Sequence, residues 1–537
     1  MADLAPYIIL VIVLAVYFAI WYFIRKRKPF EKYGVRASGP FIMWKTQRGR
    51  DFIDKLAKPA RFWRSYATLA KVICLIIAIF IMALLIWEAT LVNRIPDDKA
   101  PSPEMMLGIP GINPVIPIVY GIIGLIVAIV VHEFAHGILT RVSKLSLKSL
   151  GIILLVVPLG AFVEPDEHQL TTTDRKKRSN VYAVGPATNI IVALVCALLF
   201  SSMFMASAQP VRDNPVVVGI GDNSPASHAG ILFGMQIVEV NGFSVTVPAD
   251  IERISLPDPG SNVTITYYYK STRESRQVTS GLALVEVSQN LAAYNAGLTK
   301  GMVIASLNDT TIRNQTDLES TLAKTRPHQT VNITALAYYP NLGGYAPIDL
   351  HTIALGSKLE YYQKVNPSLI NSTFKDVGFL GINSAYVGAL LTAPDKILQR
   401  LAHPLTGVND PGKFIGATLL YIALPFQGLA PVESPLADLF VAGGALGGLP
   451  AGAFWFIGNS LYWIFWINLM VGMTNVLPAV PLDGGYLFKD AVESLVQRVK
   501  KNATEQDRQR YVSIITYILA ITVFFLIIWQ LIGPRLL

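Results

Sequence analysis

Six stretches of this 537-residue chain are apolar over about the 20 residues that a helix needs to cross a bilayer. They are 6–24, 72–92, 115–140, 181–206, 454–475 and 511–532. Lipid offers no partner to backbone N–H and C=O groups, so runs of this kind must fold as helices that satisfy those groups internally. The chain is 52% hydrophobic and 15% charged, a balance that fits a polytopic membrane protein better than a soluble one. Its net charge of +9 does not point to nucleic acid, because the basic residues are placed by topology. Fourteen Lys and Arg against three acids fall between Arg25 and Lys71, between the first two apolar runs. That pattern puts this segment on the cytoplasmic side. The N-terminus then faces out, and the third run passes inward. The first residues lack a basic leader and the charge follows the first run, which reads as a retained signal-anchor. Cys74 and Cys196 both sit in apolar runs, which argues against a disulfide framework or a thiolate metal site.

The third run carries His132-Glu133-Phe134-Ala135-His136. Ionisable groups in a span are costly and usually functional. Histidines at i and i+4 share a helix face and can clamp one metal ion, and HExxH is a zinc signature in which the glutamate serves as general base. His132 precedes Arg141 by nine residues, about 13–14 Å of helix, so the pair is expected inside the bilayer and nearer the cytoplasm. Zinc needs a third protein ligand. His168, His228, His328, His351 and His403 lie in polar connectors and read as surface histidines. Asp483 is better placed, a lone carboxylate in Asn475-Val-Leu-Pro-Ala-Val-Pro-Leu-Asp-Gly-Gly485. Pro478 and Pro481 should break helical geometry there, and Gly484 and Gly485 permit close backbone approach. A metal would compensate the buried carboxylate. The other reading of Asp483 is an N-cap for a helix starting near Tyr486.

Between His136 and the fourth run, residues 150–160 are apolar but too short to cross, with β-branched residues and flanking glycines; a re-entrant hairpin or strand pair is expected, or else a short buried connector. Residues 208 to about 385 are polar–apolar alternating and rich in Asn, Thr and Ser, as in a soluble insertion outside the membrane. Five N-glycosylation acceptor patterns, at Asn262, Asn308, Asn314, Asn332 and Asn371, agree with that side. The insertion repeats itself. Residues 224–242 and 290–309 both carry Ala-Gly, an apolar residue, Gly-Met and a strand ending at Asn. This resembles the core of PDZ modules, which bind extended peptides by strand addition. The second copy departs from the pattern with Asn308-Asp309 where Asn-Gly is usual.

HEFAH in an early span together with Asn-x-x-Pro-x-x-Pro-Leu-Asp-Gly in a late one resembles the site-2 protease family of intramembrane zinc metalloproteases. Gly185-Pro-Ala-Thr-Asn189 is similar to that family's Gly-Pro-x-x-Asn signature. The resemblance implies Zn2+ bound by His132, His136 and Asp483, with Glu133 as catalytic base and Asn475 and Asn189 as substrate-binding residues. It implies a polytopic α-helical membrane protein of about six spans with a soluble insertion of tandem PDZ-like modules. The expected parts are 1–114 (two spans and the basic loop), 115–207 (first catalytic half), 208–283 and 284–385 (the two modules), 386–453 (an extracytoplasmic or interfacial connector) and 454–537 (second catalytic half).

The function expected is hydrolysis of peptide bonds in transmembrane segments of membrane-anchored proteins, as in regulated intramembrane proteolysis. The chain would sit in the cell membrane as a multi-pass protein, with the lipid bilayer, transmembrane substrates and peptide ligands of the modules as partners and no nucleic acid. Two other readings use the same residues. One is a catalytically silent PDZ-type scaffold binding exported peptides; the other is a metal transporter, which would need further ligands along a path.

Overall fold

The computed structural model describes residues 5–27, 30–47, 49–92, 100–155, 157–365, 370 and 374–536. The first apolar run folds as helix α1 (Ala5–Arg27). The later runs lie within α3 (Ala60–Leu91), α4 (Ile118–Val142), α6 (Arg175–Leu199), which continues in π geometry through Phe200–Met205, and two helices spanning Ala451–Asn475 and Glu505–Leu536. Those five are long and apolar enough to cross a membrane. Shorter helices α2 (Arg50–Ala57) and α5 (Glu167–Thr172) precede α3 and α6, and another runs Asp483–Val499. The chain divides into two units.

The first unit comprises Met1–Phe200, Pro425–Pro431 and Phe456–Leu537. Its helices approach at small residues, as bundles without a hydrophobic driving force between helices require. A Cβ on Gly124 of α4 would stand 2.8 Å from the Trp463 carbonyl oxygen, and one on Gly472 would stand 2.8 Å from Ile190 of α6. Ile53, Ala135, Leu139, Ala183, Val184 and Ala187 form the sealed centre where α2, α4 and α6 meet.

The expected strand pair at 150–160 is present and longer. Strands β3 (Leu147–Leu155) and β4 (Val157–Pro165) pair antiparallel, with Leu150 opposite Val163. The basic segment contributes β1 (Val35–Ser38) and β2 (Phe41–Thr46), giving a four-stranded sheet in the order β1-β2-β3-β4. Residues 35–46 therefore do more than carry topological charge: Ile42 and Trp44 pair with Leu154 and Ile152. Gly151 makes room for the sheet, since a Cβ there would lie 2.2 Å from the Phe162 ring. At the polar end, the Ser149 hydroxyl and the Lys45 ammonium donate to Glu164 and hold its carboxyl below the usual range.

The second unit comprises Ser201–Leu424 and Val432–Trp455. It contains two six-stranded sheets with the same plan. The first runs Thr272–Thr279, Asn262–Tyr269, Gln236–Val240, Val216–Ile220, Ala389–Thr392, with Phe243–Ser244 paired to the central strand. The second runs Gly344–Ala354, Thr330–Tyr339, Val303–Leu307, Leu282–Val287, Ile382–Tyr386, with Thr310–Thr311 in the matching place. The repeat seen in the sequence is thus a repeat of topology.

The boundaries differ from a simple tandem. Ile382–Tyr386 completes the second sheet, and Ala389–Thr392, beyond the boundary expected at 385, completes the first by pairing with Val216–Ile220. Pairing between strands so far apart in sequence leaves no local signal. The 386–453 stretch is likewise tied in, because Phe440–Ala442 pairs with Ala208–Pro210.

The repeated glycines hold repeated backbone shapes. Gly230 and Gly297 have φ of +68° and +84°, and Gly234 and Gly301 have +85° and +84°. The turn after the strand is left-handed in both copies, with Asn241 at +50° and Asn308 at +45°. Gly242 takes the next position in the first copy at +79°, and Asp309 takes it in the second at +61°. An aspartate tolerates that region at a cost that glycine avoids. Asp309→Gly should raise the stability of this unit by about 0.5–1 kcal/mol, read as a higher melting temperature, whereas Gly242→Asp should lower it.

Candidate metal centre

The centre is assembled from three places in the first unit. His132 and His136 stand one turn apart on α4, with ring centroids 4.7 Å apart. Asp483 arrives from the far end of the chain. Helical geometry stops at Asn475, as Pro478 and Pro481 require, and restarts at Asp483 itself. A Cβ on Gly484 would fall 2.1 Å from the Val476 carbonyl oxygen, and one on Gly485 would fall 2.4 Å from the Val480 nitrogen. These two glycines let the new helix begin directly against the loop that feeds it. Leu482, not Asp483, occupies the N-cap position, so the capping role considered for Asp483 is not the one it plays.

The Asp483 carboxylate instead meets both imidazoles. Its Oδ2 lies 3.1 Å from His132 Nε2 and 3.2 Å from His136 Nε2, and the two Nε2 atoms are 3.1 Å apart. This is a nearly equilateral triangle of three electron-pair donors. A tetrahedral ion with bonds of about 2.0–2.1 Å sets its ligand atoms about 3.3 Å apart, so the triangle matches one face of such a site. Among the described residues it is the one group of three that could hold a metal ion. The side chains are mostly buried, at 10%, 12% and 16% exposure.

Two backbone features tune the triangle. His136 Nδ1 lies 2.7 Å from the Val181 carbonyl oxygen of α6. A carbonyl can only accept, so Nδ1 carries the proton and Nε2 keeps its lone pair for the centre. Next, a Cβ on Gly185 of α6 would stand 2.4 Å from His136 Nε2 and 2.8 Å from His132 Nε2. Only a residue without a side chain leaves space beside the donor atoms. His132 Nδ1 is buried and makes no hydrogen bond.

Glu133 lies beside the pair, and its Oε2 accepts from the Val163 N–H of β4 at 2.8 Å. The sheet and the HExxH helix are thereby joined at the residue expected to act as base. Neither asparagine is hydrogen-bonded to this cluster. Asn475 donates its amide to Val471, one turn back on its own helix. Asn189 is fully buried one turn beyond Gly185, with neither amide atom hydrogen-bonded. Along one side a groove of about 1060 Å³ runs down α3 past Cys74, Leu75, Met82 and Ile86 and reaches Val476 and Gly484. Val163, Val181 and Gly185 were not singled out as site residues: the first two act through backbone atoms that any residue possesses, while Gly185 carried a signal as part of the Gly-Pro-x-x-Asn pattern.

A family model described as Peptidase family M50 matches residues 120–523, three quarters of the chain. The chain belongs to peptidase family M50. The site-2 protease resemblance read from the sequence is therefore correct, and the matched stretch contains all three triangle residues and Glu133. Among relatives, an uncharacterized protein of Methanocaldococcus jannaschii is 30% identical over 249 residues, covering 46% of this chain and 63% of its own length. A provisionally named zinc metalloprotease of Brucella suis is 26% identical over 181 residues, covering 26% and 47%. Another so named, from Vibrio cholerae, is 23% identical over 466 residues, covering 75% and 96%. The match thus takes in less than two thirds of the first two of these relatives.

In this M50 chain, Gly185→Ala should abolish metal binding while leaving the helices folded. Elemental analysis of the purified variant checks the first part, and circular dichroism checks the second.

Proposed function

We propose that this chain is a zinc endopeptidase that cuts peptide bonds within membrane-embedded segments of other proteins. The observation that carries the reading is the His132–His136–Asp483 triangle, with His132, Glu133 and His136 on a helix apolar enough to cross a bilayer. Two imidazoles and one carboxylate form an open zinc set, three protein ligands with a fourth position free.

Bound zinc would supply Lewis acidity, making a water nucleophilic near neutral pH and drawing charge from a carbonyl. The protein's own groups do the rest. Glu133 takes the proton of the attacking water, and Val163 N–H holds the carboxylate by Oε2. The same carboxyl then delivers a proton to the leaving amide nitrogen, giving a free amine and a carboxylate. His136, fixed by Val181, keeps its donor atom aimed throughout. A helical substrate must unwind before its carbonyls can react. β4, at the sheet edge, offers an extended partner beside Glu133, and the groove along α3 leads toward Asp483. Asn189 and Asn475 are assigned to substrate backbone, a role supported by the unpaired amide of Asn189.

The proposed topology has six spans counting α1, a basic cytoplasmic face, and the two-sheet unit outside as a pair of PDZ-like modules. The shared strand order and the repeated left-handed glycines support a pair of related modules. They would bind extended peptides or screen substrates by size, as suits regulated intramembrane proteolysis.

Glu133→Gln should abolish cleavage of a single-span model substrate in reconstituted vesicles while zinc content stays at the wild-type level; full cleavage by this variant would sink the mechanism. Val163→Pro removes the N–H that holds Glu133, on an edge strand that tolerates proline better than an inner one. It should lower kcat by about 10-fold or more with little change in KM, measured by steady-state cleavage of the same substrate.

A further inference from the structure

Helix α6 and the helix Asp483–Val499 run antiparallel past the metal centre, in direct contact at two levels and joined at a third through the imidazoles. At the first, Arg178 forks onto Asp490, with Nε 3.0 Å and 3.1 Å from the two carboxylate oxygens, and reaches Glu493 at 3.4 Å. It also donates to the Thr171 carbonyl at 2.9 Å. At the second, the Tyr182 and Tyr486 rings stack with centroids 4.9 Å apart and planes 14° from parallel. At the third, Gly185 faces the two Nε2 atoms that Asp483 touches. On α6 the positions are 178, 182 and 185; on the partner helix they are 490, 486 and 483. In chain order the first set is i, i+4, i+7 and the second, 483, 486 and 490, is i, i+3, i+7; each lies on a single helix face, and because the helices are antiparallel the levels stay in register.

We infer that Arg178, together with the Tyr182–Tyr486 stack, is a positioning device for the ligand Asp483, fixing the height and rotation of its helix against α6. This rests on the metal reading above. Asp483 is the first residue of its helix, and what precedes it is a proline-broken loop. A loop of that kind does not define position to the tolerance of about 0.5 Å that a metal site demands. The helix is stiff, so its placement two turns down, about 10.5 Å away at Asp490, is transmitted to Asp483. A slip of one residue would move the carboxylate by about 1.5 Å and turn it by about 100°. Arg178 and Asp490 are only 16% and 10% exposed, and among the described residues the one other cation in ion-pair contact with these carboxylates is Arg175, 3.8 Å from Glu493, so loss of the guanidinium leaves Asp490 without an ion-pair partner. The planar fork sets an angle as well as a distance, which an ammonium cannot do.

The test uses the full-length protein in detergent or nanodiscs. Zinc affinity is measured by chelator competition, and ligand geometry by the visible absorption of the cobalt-substituted protein. Arg178→Ala should weaken zinc by about 10–100-fold, the range typical of groups that orient a ligand, and should shift the cobalt bands. Arg178→Lys should fall between it and wild type. Tyr182→Leu, which keeps bulk but loses the stack, should also shift the bands. If Arg178→Ala does not fold, Arg178→Lys and Tyr182→Leu carry the test. A lowered melting temperature with unchanged zinc affinity and cobalt spectrum in these variants would overturn the inference and leave Arg178 a plain structural ion pair. His132→Ala is the control for the underlying reading: if it retains wild-type zinc affinity, the metal centre is wrong; if it loses zinc while the Arg178 and Tyr182 variants keep it, only the positioning role fails.

Discussion

Two imidazoles and a carboxylate crowded to 3.1–3.2 Å and mostly buried need a proton or a metal cation shared among their donor atoms. The first unit is arranged around that constraint. It must deliver a carboxylate from residue 483 to histidines on α4, hold all three at bonding distance from a shared centre, and still leave a side open. Proline-terminated helical geometry makes the delivery, glycines allow the close approach, and α6 supplies the wall that is missing a side chain at Gly185. Each of these devices is cheap in sequence and would be senseless without the others.

The sheet serves the same centre from another direction. β4 touches Glu133 through a backbone N–H, while β1 and β2 extend the sheet away from it. On the proposed function, a strand edge held beside the expected base is a fitting place for a peptide that must be extended to be cut. Glu133 is thus more than a neighbour of the histidines. Its orientation depends on a hairpin whose own residues carry no chemistry.

The grouping of the three candidate ligands was legible in the sequence because it is written in side chains. His132 and His136 declare themselves by spacing, and Asp483 by being the lone acid among prolines and glycines. The helices were legible because lipid leaves apolar runs no other fold. What escaped was carried by backbone atoms or by long-range pairing. Nothing about the identity of Val163 or Val181 announces that an N–H or a C=O will orient Glu133 or His136. Residues 35–46 read as part of a basic loop, since four- and six-residue strands give little periodicity and the charge around them dominates. The amide of Asn475 turned back onto its own helix, a local satisfaction that its place in the Asn-x-x-Pro pattern did not reveal. The strand Ala389–Thr392 could not be assigned to the first sheet from its own composition.

That last strand has a consequence for how the molecule is made. Both sheets of the second unit are closed by one short stretch, 382–392, with the later-starting sheet closed first. A chain emerging from the ribosome at about 5–20 residues per second therefore exposes an open edge on the first sheet throughout synthesis of the second. Unpaired strand edges invite pairing with other chains. The brevity of the link between the two closing strands shortens this interval at its end, since the second closure follows within a few residues of the first. A nick or insertion near Val387-Gly388 would leave every strand present yet uncouple the two closures, turning an ordered sequence of assembly into an exposed one.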